Sequence, residues 1–136
     1  MGPQAGAGGR GMTAGSDRVR GQTAFQAGHA AEDCVARDYE NRGYDMTRRR
    51  WRGSTGEIDL VARDGDGFVF VEVKKSRSFA RAAERLMPRQ MQRIMAAAEE
   101  FLMREGLSLM TPMRFDLAVV NAAGETRIME NAFGDF

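Results

Sequence analysis

The chain has one cysteine, Cys34, and one histidine, His29, among its 136 residues. A lone cysteine excludes an internal disulfide and a cysteine-built zinc site. A lone histidine excludes a histidine-rich metal centre. Cys34 lies in the helical stretch AEDCVARDYE and is expected to be a small core residue; His29 fits a helix surface or cap. No apolar run approaches the roughly 18 residues of a membrane span. The N-terminus, MGPQAGAGGRGMTAGSDRVRG, lacks the apolar centre of a secretory signal, so a cytoplasmic protein is expected. That stretch is glycine-rich, has no amphipathic stripe, and reads as a disordered tail over residues 1–21. Residues 22–136 then form a single domain, for which 43% hydrophobic content supports one modest core.

Net charge is also almost absent, at +1, and by itself says little about partners. Its distribution says more. RGYDMTRRRWR, from Arg42 to Arg52, holds five arginines against one aspartate, and KKSRSFARAAERLMPRQMQR, from Lys74 to Arg93, holds seven basic residues against one glutamate. Positive charge gathered in this way suits a polyanion, and it equally suits a solvated basic face.

Hydrophobic spacing gives an α/β domain with helices packed on a mixed central sheet, in the order α-β-β-β-α-β with a possible final strand. From about Thr23, Phe25, Ala31, Val35 and Tyr39 stand near helical spacing, and Gly43 is a stop signal. YDMTRRRW reads as an edge strand with Tyr44, Met46 and Arg48 on one face. EIDLVAR and FVFVEVK form a hairpin about an Asp-Gly-Asp-Gly turn. The second has little alternation, as expected of a central strand covered on both faces. A long helix runs through ERLMPRQMQRIMAAAEEFLMREG. Its regular part begins at Pro88, where a missing amide proton is harmless, and it buries Ile94, Ala97, Ala98, Phe101 and Leu102. MRFDLAVV and TRIMENAF supply the last strands.

Two apolar strands that carry acids need a reason. Residues two apart on a strand share a face, which groups Glu57 with Asp59 and Glu72 with Lys74. Across the hairpin, Asp59 meets Glu72 near one end of the sheet. Paired buried carboxylates are costly unless neutralised. Magnesium or manganese does this well, since hard cations take oxygen ligands and retain water. Asp59, Glu72 and the carbonyl of Val73 make an open site of that kind. Lys74 beside it orients or helps deprotonate a water and stabilises charge developing on phosphate. The simpler reading is an Asp59–Lys74 ion pair. Other motifs carry less. GSTGE lacks the length and the lysine of a phosphate-binding loop, and Ser54 and Thr55 have no nearby base in sequence. Trp51 suits either base stacking or anchoring of its strand.

Asp59 followed thirteen positions later by EVK resembles the core of the PD-(D/E)XK nuclease superfamily. More specifically, GHAAEDCVARDYENRGYDMTRRRWRGSTGEIDLVARDGDGFVFVEVKKSR is similar to the YraN-like family of bacterial proteins, and the likeness covers most of Gly28 to Val120. It implies a restriction-endonuclease-like fold, akin to Holliday-junction resolvases, with Asp59, Glu72 and Lys74 as the catalytic triad. It further implies that Glu32, on the first helix, completes the metal site and that Gln90 stands where many relatives carry lysine. Arg50 stands where they often carry asparagine. Glu57 matches the family's GEIDL without an assured role and can pair with Arg52 or Arg50. Related nucleases commonly form homodimers.

Two functions follow as expectations. One is a Mg2+- or Mn2+-dependent endonuclease cutting structured or single-stranded DNA, with Arg48, Arg49, Arg50, Arg52, Lys75, Arg77, Arg89 and Arg93 holding backbone phosphates. The other is a weakly active or inactive nucleic-acid-binding module on the same scaffold. A protein-interaction domain is a third possibility, without response to metal or DNA.

Overall fold

Five strands among the described residues form one sheet, because the apolar runs at the middle and end of the chain are too short and too β-branched to pack as anything else. The computed structural model describes residues 30–132; the expected tail over residues 1–21, Phe25 and His29 lie outside them. In chain order these residues form α1 (residues 30–41), β1 (Asp45–Arg52), β2 (Glu57–Asp64), β3 (Gly67–Lys75), α2 (Phe79–Glu84), α3 (Pro88–Arg104), β4 (Met113–Val120) and β5 (Thr126–Met129). The strands lie in the order β1-β2-β3-β4-β5. Only β3 and β4 run parallel; the other neighbours are antiparallel. The sheet is mixed, with β3 at its centre.

Each helix begins or ends where backbone chemistry requires. Gly43 stops α1 at φ +99°. With that residue left-handed, Tyr44 N–H reaches back to the carbonyl of Tyr39 at 3.1 Å and Gly43 N–H to that of Glu40 at 3.0 Å, which satisfies carbonyls the helix end would leave open. Pro88 opens α3. The regular helix begins at Pro88 as expected; ahead of it α2 is a separate short helix not expected from the sequence, whose first turn is capped by the Ser78 hydroxyl accepting from Arg81 N–H at 3.2 Å. Ser78 was the available signal, a capping residue three positions ahead of a free amide. In the β2–β3 hairpin, Gly65 takes φ +61° between the paired Asp64 and Gly67.

The two faces carry separate cores. On one face, Ala31, Val35, Ala36 and Tyr39 of α1 pack on Leu60, Ala62, Val69, Val71, Ala118 and Val120. On the other, Ile94, Ala97, Ala98, Phe101 and Leu102 of α3, the expected stripe, pack on Ile58, Val61, Phe68, Phe70, Leu117 and Val119. Phe101 is the hub of that side, with ring centroids 5.4–5.7 Å from Phe68, Trp51 and Phe70. Trp51 therefore anchors its strand. Tyr44 and Met46 pack toward α1. The pairing slips between Met46 and Arg48, and the extra residue turns Arg48 away from the face expected for it. Cys34 is half-buried, not a core residue, because α1 presents Ala31 and Val35 to the sheet on either side of it.

A charged group sits under α1. Asp116 is fully buried. It accepts from Tyr39 Oη at 2.6 Å, from Arg114 Nε and Nη2 at 2.9 Å, and from Asn131 N–H at 2.9 Å. Burial and the adjacent Asp116 carboxylate push the Tyr39 hydroxyl far above its ordinary range. Hydrogen bonding to Asp116 raises the Arg114 guanidinium likewise. A buried charge with every acceptor position filled is tolerated; the same charge stripped of one donor is not. Tyr39→Phe should lower the unfolding free energy by about 1–3 kcal/mol, and Asp116→Ala by about 3–5 kcal/mol, measured by urea unfolding. Equal losses in the two variants would show that the tyrosine, rather than the carboxylate, organises the network.

Candidate functional site

The regular β2–β3 ladder runs from Asp64↔Gly67 to Leu60↔Val71 and stops one pair short of Asp59 and Glu72. Beyond that point Val73 N–H donates to Asp59 Oδ2 at 2.8 Å, so a side chain stands where a strand backbone would normally pair. Alternation fails at the same place. Ile58 packs on the α3 side, whereas Leu60, two residues on, packs on the α1 side. The rule that would group Glu57 with Asp59 therefore does not hold across this break. Glu57 lies 3.7 Å from Arg52, one of the two partners expected for it.

At this end of the strand pair Asp59 and Glu72 lie near enough for the Asp59 carboxylate to raise the Glu72 carboxyl. Lys74 Nζ lies 3.4 Å from Glu72 Oε2, so the lysine pairs with Glu72 and the simple Asp59–Lys74 pair is not formed. Gln90, in the first turn of α3, donates from Nε2 to the same Glu72 oxygen at 2.8 Å. The neutral amide thus fixes a carboxylate that a lysine there would partly neutralise. Burial raises the Asp59 carboxyl above its ordinary value, with the nearby Glu32 charge adding to it and the Val73 amide opposing it. Glu72 is pushed up to about 7, first by burial and then by Asp59, with Lys74 working the other way. Two acids that resist ionising together form a site short of positive charge.

Glu32 is buried on α1, but its carboxylate is held by Arg50, whose Nε donates to Oε1 at 3.0 Å. Among the described residues no three or more His, Cys, Asp or Glu side chains converge as a ready metal cage. Asp59 and Glu72, with the Val73 carbonyl, form a two-carboxylate oxygen site whose deficit of positive charge suits a hard divalent cation.

The basic residues of the two sequence clusters differ in their partners. Those of β1 are committed to acids: Arg48 to Glu105 at 3.2 Å, Arg49 to Asp33, Arg50 to Glu32 and Arg52 to Glu57. Among the described residues Lys75, Arg77, Arg89 and Arg93 form no ion pair, nor do Arg81 and Arg85, which the sequence reading did not single out. Lys75, Arg77, Arg81 and Arg85 line a concavity of about 900 Å³ around α2. Arg89, Gln90 and Arg93 line another of about 670 Å³ at the start of α3. Uncommitted charge therefore lies on the α2–α3 side of the carboxylate pair.

Two features escaped sequence reasoning because their partners are remote in sequence. Ser54 does have a nearby carboxylate: its N–H and hydroxyl donate to Glu100, 46 residues away, at 2.9 and 3.1 Å. Those bonds hold Glu100 below the ordinary glutamate range, so it pins the β1–β2 turn to α3 and is a poor base. The Asp116 network is the second, and nothing local in MRFDLAVV marks that aspartate as buried.

The family model described as uncharacterised protein family UPF0102 matches residues 31–120. The chain belongs to the UPF0102 family. It is 62% identical over 115 residues to a UPF0102 protein of Ruegeria pomeroyi, covering 85% of this chain and 94% of that protein. It is also similar to UPF0102 proteins of Cereibacter sphaeroides, at 54% identity, and Roseobacter denitrificans, at 53%. Each alignment spans 85% of this chain, and they cover 98% and 89% of those proteins respectively. The matched region runs from the start of α1 to the end of β4 and so contains Glu32, Asp59, Glu72, Lys74 and Gln90. No helix among the described residues of this UPF0102 chain is long and apolar enough to cross a membrane.

The raised Glu72 value has a consequence for stability. The fold favours the protonated carboxyl, so its contribution is fully present below the ordinary glutamate range and is lost as pH rises through about 7. Metal-free protein should lose about 1–3 kcal/mol of stability across that window, and Glu72→Gln should flatten the slope. Chemical unfolding at several pH values in the presence of a chelator tests this. An unchanged slope in Glu72→Gln would place the titration elsewhere.

Proposed function

We propose that this protein is a divalent-cation-dependent nuclease that hydrolyses phosphodiester bonds in structured or single-stranded DNA. The observation that carries the reading is the pair of half-buried carboxylates brought to one end of the sheet, with Lys74 against Glu72 at 3.4 Å and both acids raised in pKa. A purely structural ion pair would not need the second acid. Asp59 and Glu72, with the Val73 carbonyl, would hold Mg2+ or Mn2+. The bound cation supplies Lewis-acid polarisation of the phosphate and charge neutralisation. Lys74, a quarter exposed, reaches both Glu72 and solvent, so it orients the attacking water and stabilises charge on the phosphate oxygens. Gln90 keeps the Glu72 carboxylate in one orientation through its 2.8 Å hydrogen bond. Lys75, Arg77, Arg89 and Arg93 take backbone phosphates on the α2–α3 side. Such contacts position a strand without reading its sequence, so binding should weaken steeply with salt.

A second reading, a nucleic-acid-binding module with little activity, is favoured by two observations. Gln90 contributes no charge, and Glu32 stands engaged with Arg50. Labelled single-stranded, flapped and four-way DNA incubated with Mn2+ separates the two. Native protein should cleave at least one substrate, and Asp59→Ala and Lys74→Ala should each reduce the rate by at least about a hundredfold. Binding without cleavage in every metal, unaffected by either change, would leave the binding module. Cation binding to the folded state should also raise the melting temperature of native protein but not of Asp59→Ala.

A further inference from the structure

Arg50 has an unusual backbone for a strand residue. Its φ is +52°, a left-handed conformation uncommon for side chains other than asparagine, aspartate or histidine. The pairs on either side, Arg49↔Leu60 and Trp51↔Ile58, set Arg50 directly across from Asp59, where β2 loses its alternation. From there its guanidinium reaches α1 and donates to Glu32 Oε1 at 3.0 Å. Only two charged residues are buried among the described residues, Glu32 and Asp116. Asp116 is satisfied from all sides. Arg50 is the one polar side chain among the described residues that the Glu32 carboxylate contacts.

The two halves of this pair differ in access. The Glu32 side chain is 11% exposed and that of Arg50 is 42% exposed, so an anion in solution can reach the guanidinium but not easily the carboxylate. Glu32 also lies near enough to Asp59 for its charge to be felt there. Without Arg50, the Glu32 charge that acts on Asp59 would have no cation paired with it among the described residues. Arg50 compensates that charge in the free protein, and in doing so it engages the Glu32 carboxylate.

We propose that Arg50 is a phosphate-operated latch on Glu32, and that a nucleic-acid phosphate taking its guanidinium frees Glu32 to complete the cation site with Asp59 and Glu72. Anion and cation binding are then positively coupled, each strengthening the other by the same factor. Guanidinium suits this exchange because its planar fork of N–H groups donates to carboxylate or phosphate oxygens in the same geometry. The latch rests on the cation-site reading above but not on turnover, so it is testable by binding alone.

The experiment is calorimetric titration of Mn2+ into native protein, Arg50→Asn, Glu32→Gln and the double variant. Each is titrated with and without a phosphorothioate oligothymidylate, which keeps the charge and resists hydrolysis. Asparagine removes the cation while tolerating the left-handed backbone; Arg50→Lys, which keeps the charge but loses the fork, serves if Arg50→Asn does not fold. Native protein should bind Mn2+ about tenfold more tightly with the oligonucleotide. Arg50→Asn should show that gain without it and none further, and Glu32→Gln should abolish the coupling in either background. If native protein binds Mn2+ but Arg50→Asn, folded, binds it no more tightly, Arg50 is only a pin between β1 and α1 and the latch is wrong. If native protein and Asp59→Asn are alike in binding no Mn2+, the cation site itself fails and the latch fails with it.

Discussion

One hydrogen bond organises the end of the sheet that carries Asp59 and Glu72. Val73 N–H, which a regular antiparallel ladder would direct to a β2 carbonyl, donates instead to the Asp59 carboxylate. That substitution ends the ladder at Leu60↔Val71 and lets the strands part. The Asp59 side chain enters the space between them, at the position across from Glu72. An unbroken ladder would set Asp59 directly across from Glu72 on one face; the exchange instead ties the Asp59 carboxylate to the β3 backbone. The backbone amide also offsets part of the burial of Asp59, so the same bond both orients one member of the carboxylate pair and makes its burial tolerable.

The elements around that point each limit it in a different way. α3 supplies Gln90 from its first turn, and the Phe101 cluster fixes where that turn lies. α1 brings Glu32 to the same end, and its position is set by Tyr39 on the buried Asp116. β1 delivers Arg50 through a left-handed residue. The sheet thus has two charged centres of opposite character. Asp116 is closed, with its donors all supplied by the protein, and it is a stability device. The Asp59–Glu72 pair is open and short of cations, and it stands beside the arginines and lysines that have no acidic partner of their own.

Charge counted along the chain misled in one respect. RGYDMTRRRWR is the densest basic stretch, yet its arginines at 48, 49, 50 and 52 are each matched to an acid contributed by α1, β2 or the end of α3. The sparser basic residues from Lys75 to Arg93 form no ion pair among the described residues. Which positive charges are free to meet a polyanion is a property of the packed structure, because pairing depends on side chains that are dozens of residues apart in the chain.

The central hairpin, the central placement of FVFVEVK, the start of α3 at Pro88 and its buried stripe were all legible in the sequence, since each follows from local periodicity or from the stereochemistry of proline and glycine. So was the proximity of Asp59, Glu72 and Lys74, which follows from hairpin pairing alone. Membership of the family was legible too, in the spacing of GEIDL and VEVK. Tertiary structure alone decided the rest: the broken ladder at Asp59, the preference of Lys74 for Glu72, the Arg50–Glu32 pair, the burial of Asp116 and the separation of α2 from α3. Each of these is a competition between remote partners for one donor or one buried position, and a sequence records the competitors without recording which of them wins.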